Sequence, residues 1–435
     1  MIKQAVQNLG IEQLNEMQNA AITSIHNGED LILLSPTGSG KTLGFLLPLL
    51  KRLDPSKSYI QALIMVPSRE LALQIEQVFK SLKTGIKVNC CYGGHSVKIE
   101  QNNLSEAPSV LIGTPGRLAD LIRRGSLQMA GIESLVLDEF DKSLEFGFQK
   151  DMEFITKQLL FLKQRILTSA SQSIEVPDFV GLQNPTTLNY IDDNVNTGLS
   201  LKLIRPKDTD KLECLFELIC ELKNQTMLIF CNHRDAVERI SQTLSQRGIF
   251  QGTFHGGLDQ EERERSLVKF RNGSHNILIC TDLAARGLDI PEIGQVIHYQ
   301  LPSNGDAFIH RNGRTARMHA TGNSFLIIAE DEKIPEFIQE DIPLHPLAKE
   351  IQIPNLPEWV TLYIGAGKKD KVNKIDIVGH LLKTGELQKD ELGLIEVKDH
   401  FAYASVKRNK MNSLLKNITG KKIKRKKVKI QLAKA

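Results

Sequence analysis

The sequence predicts an α/β protein made of two doubly wound parallel sheets followed by a smaller α+β domain. Two observations carry this: short apolar runs alternate with amphipathic stretches in two successive series, and a separate strand-and-helix pattern follows a proline-punctuated linker. The first series is 31–34, 62–66, 88–91, 110–112, 134–137 and 165–168; the second is 227–231, 252–255, 276–280, 295–299 and 323–328. Between them the polar stretch 190–200 interrupts the pattern, and an acidic, helix-like stretch follows Ile328. The C-terminal pattern has strands at 359–364 and 400–406, a helix at 374–383 and an edge strand at 428–432. We therefore expect domains at 1–195, 200–345 and 358–435, with a linker at 346–357. A chain of 435 residues is long enough for several cores.

Composition narrows the class. With 41% hydrophobic and 24% charged residues the chain reads as globular rather than disordered. The net charge is +4, yet residues 415–435 alone carry nine Lys or Arg and no acid, so the rest is net −5. Such a cationic end suits a polyanion, although a solvated basic tail is the plainer alternative. The six cysteines form no Cys-x-x-Cys pair, and no run approaches a membrane span. Reduced thiols and a cytoplasmic location away from membranes are expected.

The residues that carry chemistry lie just after the apolar runs, where open α/β sheets bind ligands. Ser35, Pro36, Thr37, Gly38, Ser39, Gly40, Lys41 and Thr42 join the first run to a helix-like segment. This is a phosphate-binding loop in which backbone N–H groups wrap the phosphates, Lys41 reaches the terminal phosphates and Thr42 offers a hydroxyl to Mg²⁺. Ser35 stands where the general pattern has glycine. Asp138, Glu139, Phe140 and Asp141 follow another apolar run; Asp138 is placed to hold Mg²⁺ through water and Glu139 to orient and deprotonate an attacking water. In the second series, His310-Arg311-Asn312-Gly313-Arg314-Thr315-Ala316-Arg317 concentrates arginines suited to phosphoryl oxygens.

Together these motifs resemble those of DEAD-box RNA helicases, in order and spacing, over about residues 1–345. The resemblance implies two RecA-like domains. It assigns Gln18 to adenine, the loop 35–42 with Gly287 and Asp289 to ATP, and Ser169 and Ser171 to coupling hydrolysis with strand separation. Lys41, Asp138, Glu139, Arg314 and Arg317 become the catalytic set. Pro67, Arg69, Gly94, Thr114, Gly116, Arg117, Arg263 and Thr281 become backbone contacts to RNA, which position a strand without reading its bases. Phe140 stands for alanine of the name-giving motif, Ser171 for threonine and Ala316 for glycine.

The end of the chain resembles the RNA-binding domain of DbpA-type DEAD-box proteins, an RRM-like fold. Lys368, Lys369, Lys421, Lys422 and Lys424 are the expected phosphate contacts. Tyr363, Phe401 and Tyr403 either stack bases on the sheet or face inward. The implied activity is an ATP- and Mg-dependent RNA helicase, acting as a monomer on structured ribosomal RNA in large-subunit assembly intermediates. An ATP-gated RNA clamp with little unwinding is the alternative, and a DNA helicase a third reading.

Overall fold

A computed structural model describes residues 2–433 except 27, 37, 94–103, 172–174, 192–197, 207–209, 285–292, 316–321, 339–340, 349–350 and 425. The chain divides into two compact units, residues 1–196 with 286–289 and residues 197–285 with 290–435.

In the first unit, helices α1 (Ile2–Asn8) and α2 (Glu16–His26) precede β1 (Leu31–Leu34), α3 (Lys41–Arg52), β2 (Ala62–Met65), α4 (Arg69–Ser81), β3 (Val88–Cys91) and β4 (Val110–Gly113). Then come α5 (Pro115–Arg123), β5 (Ser134–Leu137), α6 (Phe140–Glu145), α7 (Gln149–Thr156), β6 (Gln164–Ser169) and β7 (Thr186–Asn189). The seven strands pair in parallel in the order β3-β4-β2-β5-β6-β1-β7. Central strands β2, β4 and β5 are buried on both faces, which is why they read as continuous apolar runs. Helices cover one face through a core containing Phe45, Leu46 and Ile75, and the other through Leu118, Phe140 and Met152.

The second unit begins with β8 (Leu199–Ile204), α8 (Lys211–Leu222), β9 (Met227–Phe230), α9 (Arg234–Gln246), β10 (Gly252–Phe254), α10 (Gln260–Arg271), β11 (Ile277–Cys280), β12 (Gln295–His298), α11 (Gly305–Asn312) and β13 (Gly322–Ile327). Its parallel sheet has the order β10-β11-β9-β12-β13-β8. The acidic stretch after Ile328, expected to be helical, contains turns and no helix among its described residues. Pro335 and Pro343 withhold the N–H groups a helix would need, and Ile338 and Ile342 are instead buried beside β13.

The same unit continues into β14 (Trp359–Ile364), α12 (Lys374–Lys383), β15 (Leu392–Val397), β16 (Ala402–Lys407), α13 (Met411–Ile418), the small hairpin β17 (Lys422–Ile423) and β18 (Lys426–Lys427), and β19 (Ile430–Leu432). An antiparallel sheet of order β15-β16-β14-β19 packs the alternate residues Val360, Leu362, Ile364, Ala402, Ala404 and Val406 against Ile377, Leu381 and Leu414 of the two helices. The other face of this sheet lies on α10. Tyr403, 0% exposed, packs on Val268; the Ser274 and Thr361 hydroxyls meet at 2.7 Å, and the Ser405 hydroxyl donates to the Asn272 carbonyl at 3.1 Å. Arg271 pairs with Glu396 at 2.9 Å along the seam.

Candidate functional site

The phosphate-binding loop takes its shape from two glycines in the left-handed region, Gly38 at φ 85° and Gly40 at φ 87°. A Cβ on Gly40 would come within 2.5 Å of the Gln18 carboxamide, so close approach also demands glycine there. Gln18 and Asn15 brace the loop from α2: Gln18 Nε2 donates to Gly40 O at 3.2 Å, and Asn15 Nδ2 to Ser39 O at 2.9 Å. Two reciprocal bonds lock the pair, with Asn15 N donating to Gln18 Oε1 and Gln18 N to Asn15 Oδ1. Gln18 thus touches the loop that the sequence assigned to phosphate.

Lys41 opens α3 and spans the two strand ends nearest the loop. Its Nζ donates to Ser35 O at 2.5 Å and to Ser169 O at 3.3 Å. The ammonium is thereby held where a nucleotide phosphate would exchange with carbonyl partners. Ser35 and Ser39 carry buried hydroxyls with no hydrogen-bond partner among the described residues, so the loop retains polar capacity for a ligand.

Asp138 and Glu139 stand at the end of β5. Asp138 is buried, and desolvation pushes its carboxyl above the usual carboxylate range, although Thr168, nearby Lys41 and the Glu139 N–H pull it the other way. Both recorded bonds fall on one oxygen: Thr168 Oγ1 and Glu139 N, the latter at 3.2 Å, donate to Asp138 Oδ1. Glu139 N also points to Thr168 Oγ1 at 3.3 Å. Glu139 itself adopts φ 47°, ψ 51°, a conformation costly for a non-glycine residue and common at functional sites. Phe140 turns wholly into the core beneath the sheet and takes no polar part.

This donor set fits Mg²⁺. A buried carboxylate destabilised by desolvation is relieved by a nearby hard cation, and Thr42 supplies a hydroxyl from the first turn of α3. No group of three or more His, Cys, Asp or Glu side chains suited to a metal occurs among the described residues.

At the end of β6, Ser171 N donates to Ser169 Oγ at 2.9 Å, closing a tight turn at the two serines assigned to coupling. The RNA-assigned residues of this unit cluster at neighbouring strand ends. Pro67 precedes α4, whose first residue, Arg69, stacks over Tyr92 at 4.4 Å. Thr114 precedes α5 with its hydroxyl unused as a cap, Gly116 lies in the first turn, and Arg117 pairs with Asp120 at 3.4 Å.

In the second unit the organising group is Arg311, which is 0% exposed. Its guanidinium grips Asp282 through two bonds of 2.5 and 3.0 Å, and donates to Gln300 O at 2.7 Å and Asn232 Oδ1 at 2.8 Å. Three strand-end segments, those after β9, β11 and β12, are thus tied to one planar cation. Arg314, 2% exposed, follows α11, with its carbonyl accepting from Ile293 N at 3.2 Å. Thr281 is fixed through its N–H to Phe254 O at 3.2 Å, and Arg263 sits in the first turn of α10. Thr37, Gly94, Gly287, Asp289, Ala316 and Arg317 lie outside the described residues. Sequence reasoning missed Thr168, Asn15 and the structural role of Arg311. A hydroxyl at the end of an otherwise apolar run was the available sign for Thr168.

The C-terminal lysines 368, 369, 421, 422 and 424 are exposed. The sequence reading took the basic run as unopposed, and the structure corrects this: Lys424 pairs with Asp376 at 2.7 Å, Lys426 with Asp370 at 3.0 Å and Lys369 with Asp399 at 3.8 Å. Asp376 and Asp370 come from α12 and the turn before it, and Asp399 from the turn between β15 and β16, all distant from the run in sequence and so invisible to a local charge count. Lys421, Lys422 and Lys427 have no ion-pair partner among the described residues and keep the hairpin cationic.

Two RecA-like parallel sheets with a phosphate loop and paired carboxylates at one set of strand ends and arginines at the other define a nucleoside-triphosphate-dependent helicase core. The chain belongs to the DEAD-box family of ATP-dependent RNA helicases. Three family models match in succession: the DEAD/DEAH box helicase over 15–179, the helicase conserved C-terminal domain over 210–319 and the DbpA RNA binding domain over 361–432. The ATP-dependent RNA helicase DbpA of Bacillus subtilis is 29% identical over 465 residues, covering 99% of this chain and 97% of that protein. Eukaryotic initiation factor 4A of Caenorhabditis elegans is 35% identical, covering 74% of this chain and 82% of that protein. The maize chloroplastic DEAD-box ATP-dependent RNA helicase 3A is 36% identical, and there the chain spans 45% of the relative's length. Among solved structures, S. cerevisiae Dbp5 bound to RNA and ADP BeF3 superposes with a TM-score of 0.68 at 28% identity, covering 76% of this chain and 87% of that one.

Proposed function

We propose that this protein is an RNA-stimulated ATPase that couples ATP binding and hydrolysis to local separation of RNA strands, on ribosomal RNA during large-subunit assembly. The observation that carries the reading is the joint placement of Lys41, Asp138, Thr168 and Glu139 at adjacent ends of β1, β5 and β6. In this reading the loop 35–42 binds the triphosphate, Lys41 turns from Ser35 O to the terminal phosphates, and Gln18 contacts adenine. Glu139 orients a water and takes its proton, with Thr168 fixing the peptide that aims it. Thr42 and Asp138 would hold Mg²⁺, which neutralises charge on the phosphates when bound.

Arg314 and Arg317 stabilise charge on the transferred phosphoryl group. Pro67, Arg69, Gly94, Thr114, Gly116, Arg117, Arg263 and Thr281 hold an RNA backbone, while the cationic C-terminal lysines select the substrate. The protein works as a cytoplasmic monomer; no helix among the described residues is long and apolar enough to cross a membrane. Burial of Phe140 in the core leaves the carboxylate pair intact and favours turnover over a passive clamp. Release of a labelled strand from a short RNA duplex tests the reading. ATP should drive release, and equal release without ATP would refute it.

A further inference from the structure

A cavity of about 300 Å³ opens where the C-terminal sheet meets α10, lined by Glu261, Arg265, Tyr363, Lys429, Gln431 and Ala433. Its volume is at the lower end of small-ligand sites. Its walls combine three chemistries. Tyr363, half-buried, forms a stacked pair with Phe401 at 5.8 Å between ring centroids and 27° between planes. Arg265 and Lys429 bring two cations from opposite sides of the seam, and Gln431 with Glu261 supplies polar groups suited to a base edge. Glu261 lies 3.9 Å from Arg265, one helical turn away, and holds it on the cavity side. Behind Tyr363, at 5.9 Å between ring centroids, Tyr403 is fully buried and its hydroxyl has no hydrogen-bond partner among the described residues.

We propose that this seam pocket binds one unpaired nucleotide of the RNA substrate, with the base against Tyr363 and the flanking phosphates on Arg265 and Lys429. The inference rests on the RNA helicase reading and adds a contact made jointly by the second RecA-like sheet and the C-terminal domain. Arg263, a proposed backbone contact, lies two residues from Arg265 on α10, about 3 Å along the helix axis. The two side chains point to different faces of α10, so the pocket is a site separate from the proposed backbone contacts. Tyr403 of the sheet's aromatic face is covered by α10, whereas Tyr363 at the margin near β19 is half-buried and can meet a base.

The test uses the full chain and a short single-stranded RNA substituted with 5-iodouridine, crosslinked by light and mapped by mass spectrometry. Crosslinks at Tyr363 are expected, and an excess of free mononucleotide should leave them intact. Arg265→Gln and Lys429→Gln should each weaken RNA binding about fourfold near physiological salt and flatten the log-log salt slope by about 0.7, the value for one phosphate contact on a single strand. Lys429 is exposed and Arg265 half-buried at the seam, and loss of a merely structural role would leave that slope unchanged. Crosslinks confined to the strand-end motifs, with both salt slopes unaltered, would overturn the pocket while leaving the helicase reading intact. Displacement by mononucleotide would overturn the assignment to RNA, and absence of crosslinks anywhere would overturn the pocket together with the RNA helicase reading.

Discussion

The two parallel sheets solve the same positioning problem with opposite charges. In the first, strand ends are organised around an anion, Asp138, held by Thr168 and the Glu139 N–H. In the second they are organised around a cation, Arg311, which binds Asp282, Asn232 and the Gln300 carbonyl. The anionic half suits a water nucleophile and a cation-bound triphosphate; the cationic half presents Arg314 beside a rigid base. Each arrangement is built from bonds within its own sheet, so each half keeps its geometry independently. Variants in the two halves should therefore fail in different ways.

The largest effect should come from the cationic half. Arg314→Lys keeps the charge but loses the planar fork, and should lower kcat about a thousandfold while ATP binding to the first sheet persists. Turnover within tenfold of the parent would remove Arg314 from the phosphoryl site. In the anionic half, Glu139→Gln should lower kcat about a hundredfold and leave a persistent complex with ATP and RNA, measured as a slow dissociation rate. Parent-level hydrolysis by that variant would show that another group takes the proton.

Acid should separate the halves through stability. Burial holds His275 and His298 of the second unit down at about 3, against 6.5 when unfolded. Because the folded values are depressed, the unfolded chain takes up protons first, so stability is fully present above pH 6.5 and falls as pH drops towards 3. From pH 7 to 5 each histidine should cost about 2 kcal/mol, seen as a fall in the urea midpoint that His298→Asn reduces. A smaller effect is expected from Thr168→Val, which removes the hydroxyl shared by Asp138 and Glu139 and should slow turnover about tenfold with little change in Arg311's network. Unchanged kcat would mean that the β5 end is held without it. Smallest, Lys421→Gln and Lys422→Gln should each weaken structured-RNA binding about fourfold. Deleting the whole C-terminal domain is a poorer probe, since it would uncover Val268 on α10 and Asn272 just after it.

Most of both sheets was legible because buried parallel strands are continuous apolar runs, as in Ala62–Met65 and Ile277–Cys280. The edge strands Thr186–Asn189 and Leu199–Ile204 were not, since few of their residues are fully buried and both mix polar with apolar groups. Strand Leu392–Val397 escaped notice for a similar reason, with Gly393 and Glu396 interrupting its pattern. The phosphate loop and carboxylate pair could be read because their residue types serve chemistry directly. Thr168 and Asn15 could not, since their partners lie 30 and 24 residues away and only folding joins them. The fate of Tyr403 was undecidable from alternation alone: it faces away from its own domain's helices, yet α10 covers it.

The most direct test of the two-half site is ATP turnover by the full chain, measured with and without saturating RNA. Turnover that rises at least about tenfold with RNA and falls about a thousandfold in Arg314→Lys and about a hundredfold in Glu139→Gln is the predicted result. Equal turnover in the presence and absence of RNA, or hydrolysis that survives loss of the arginine, would contradict it.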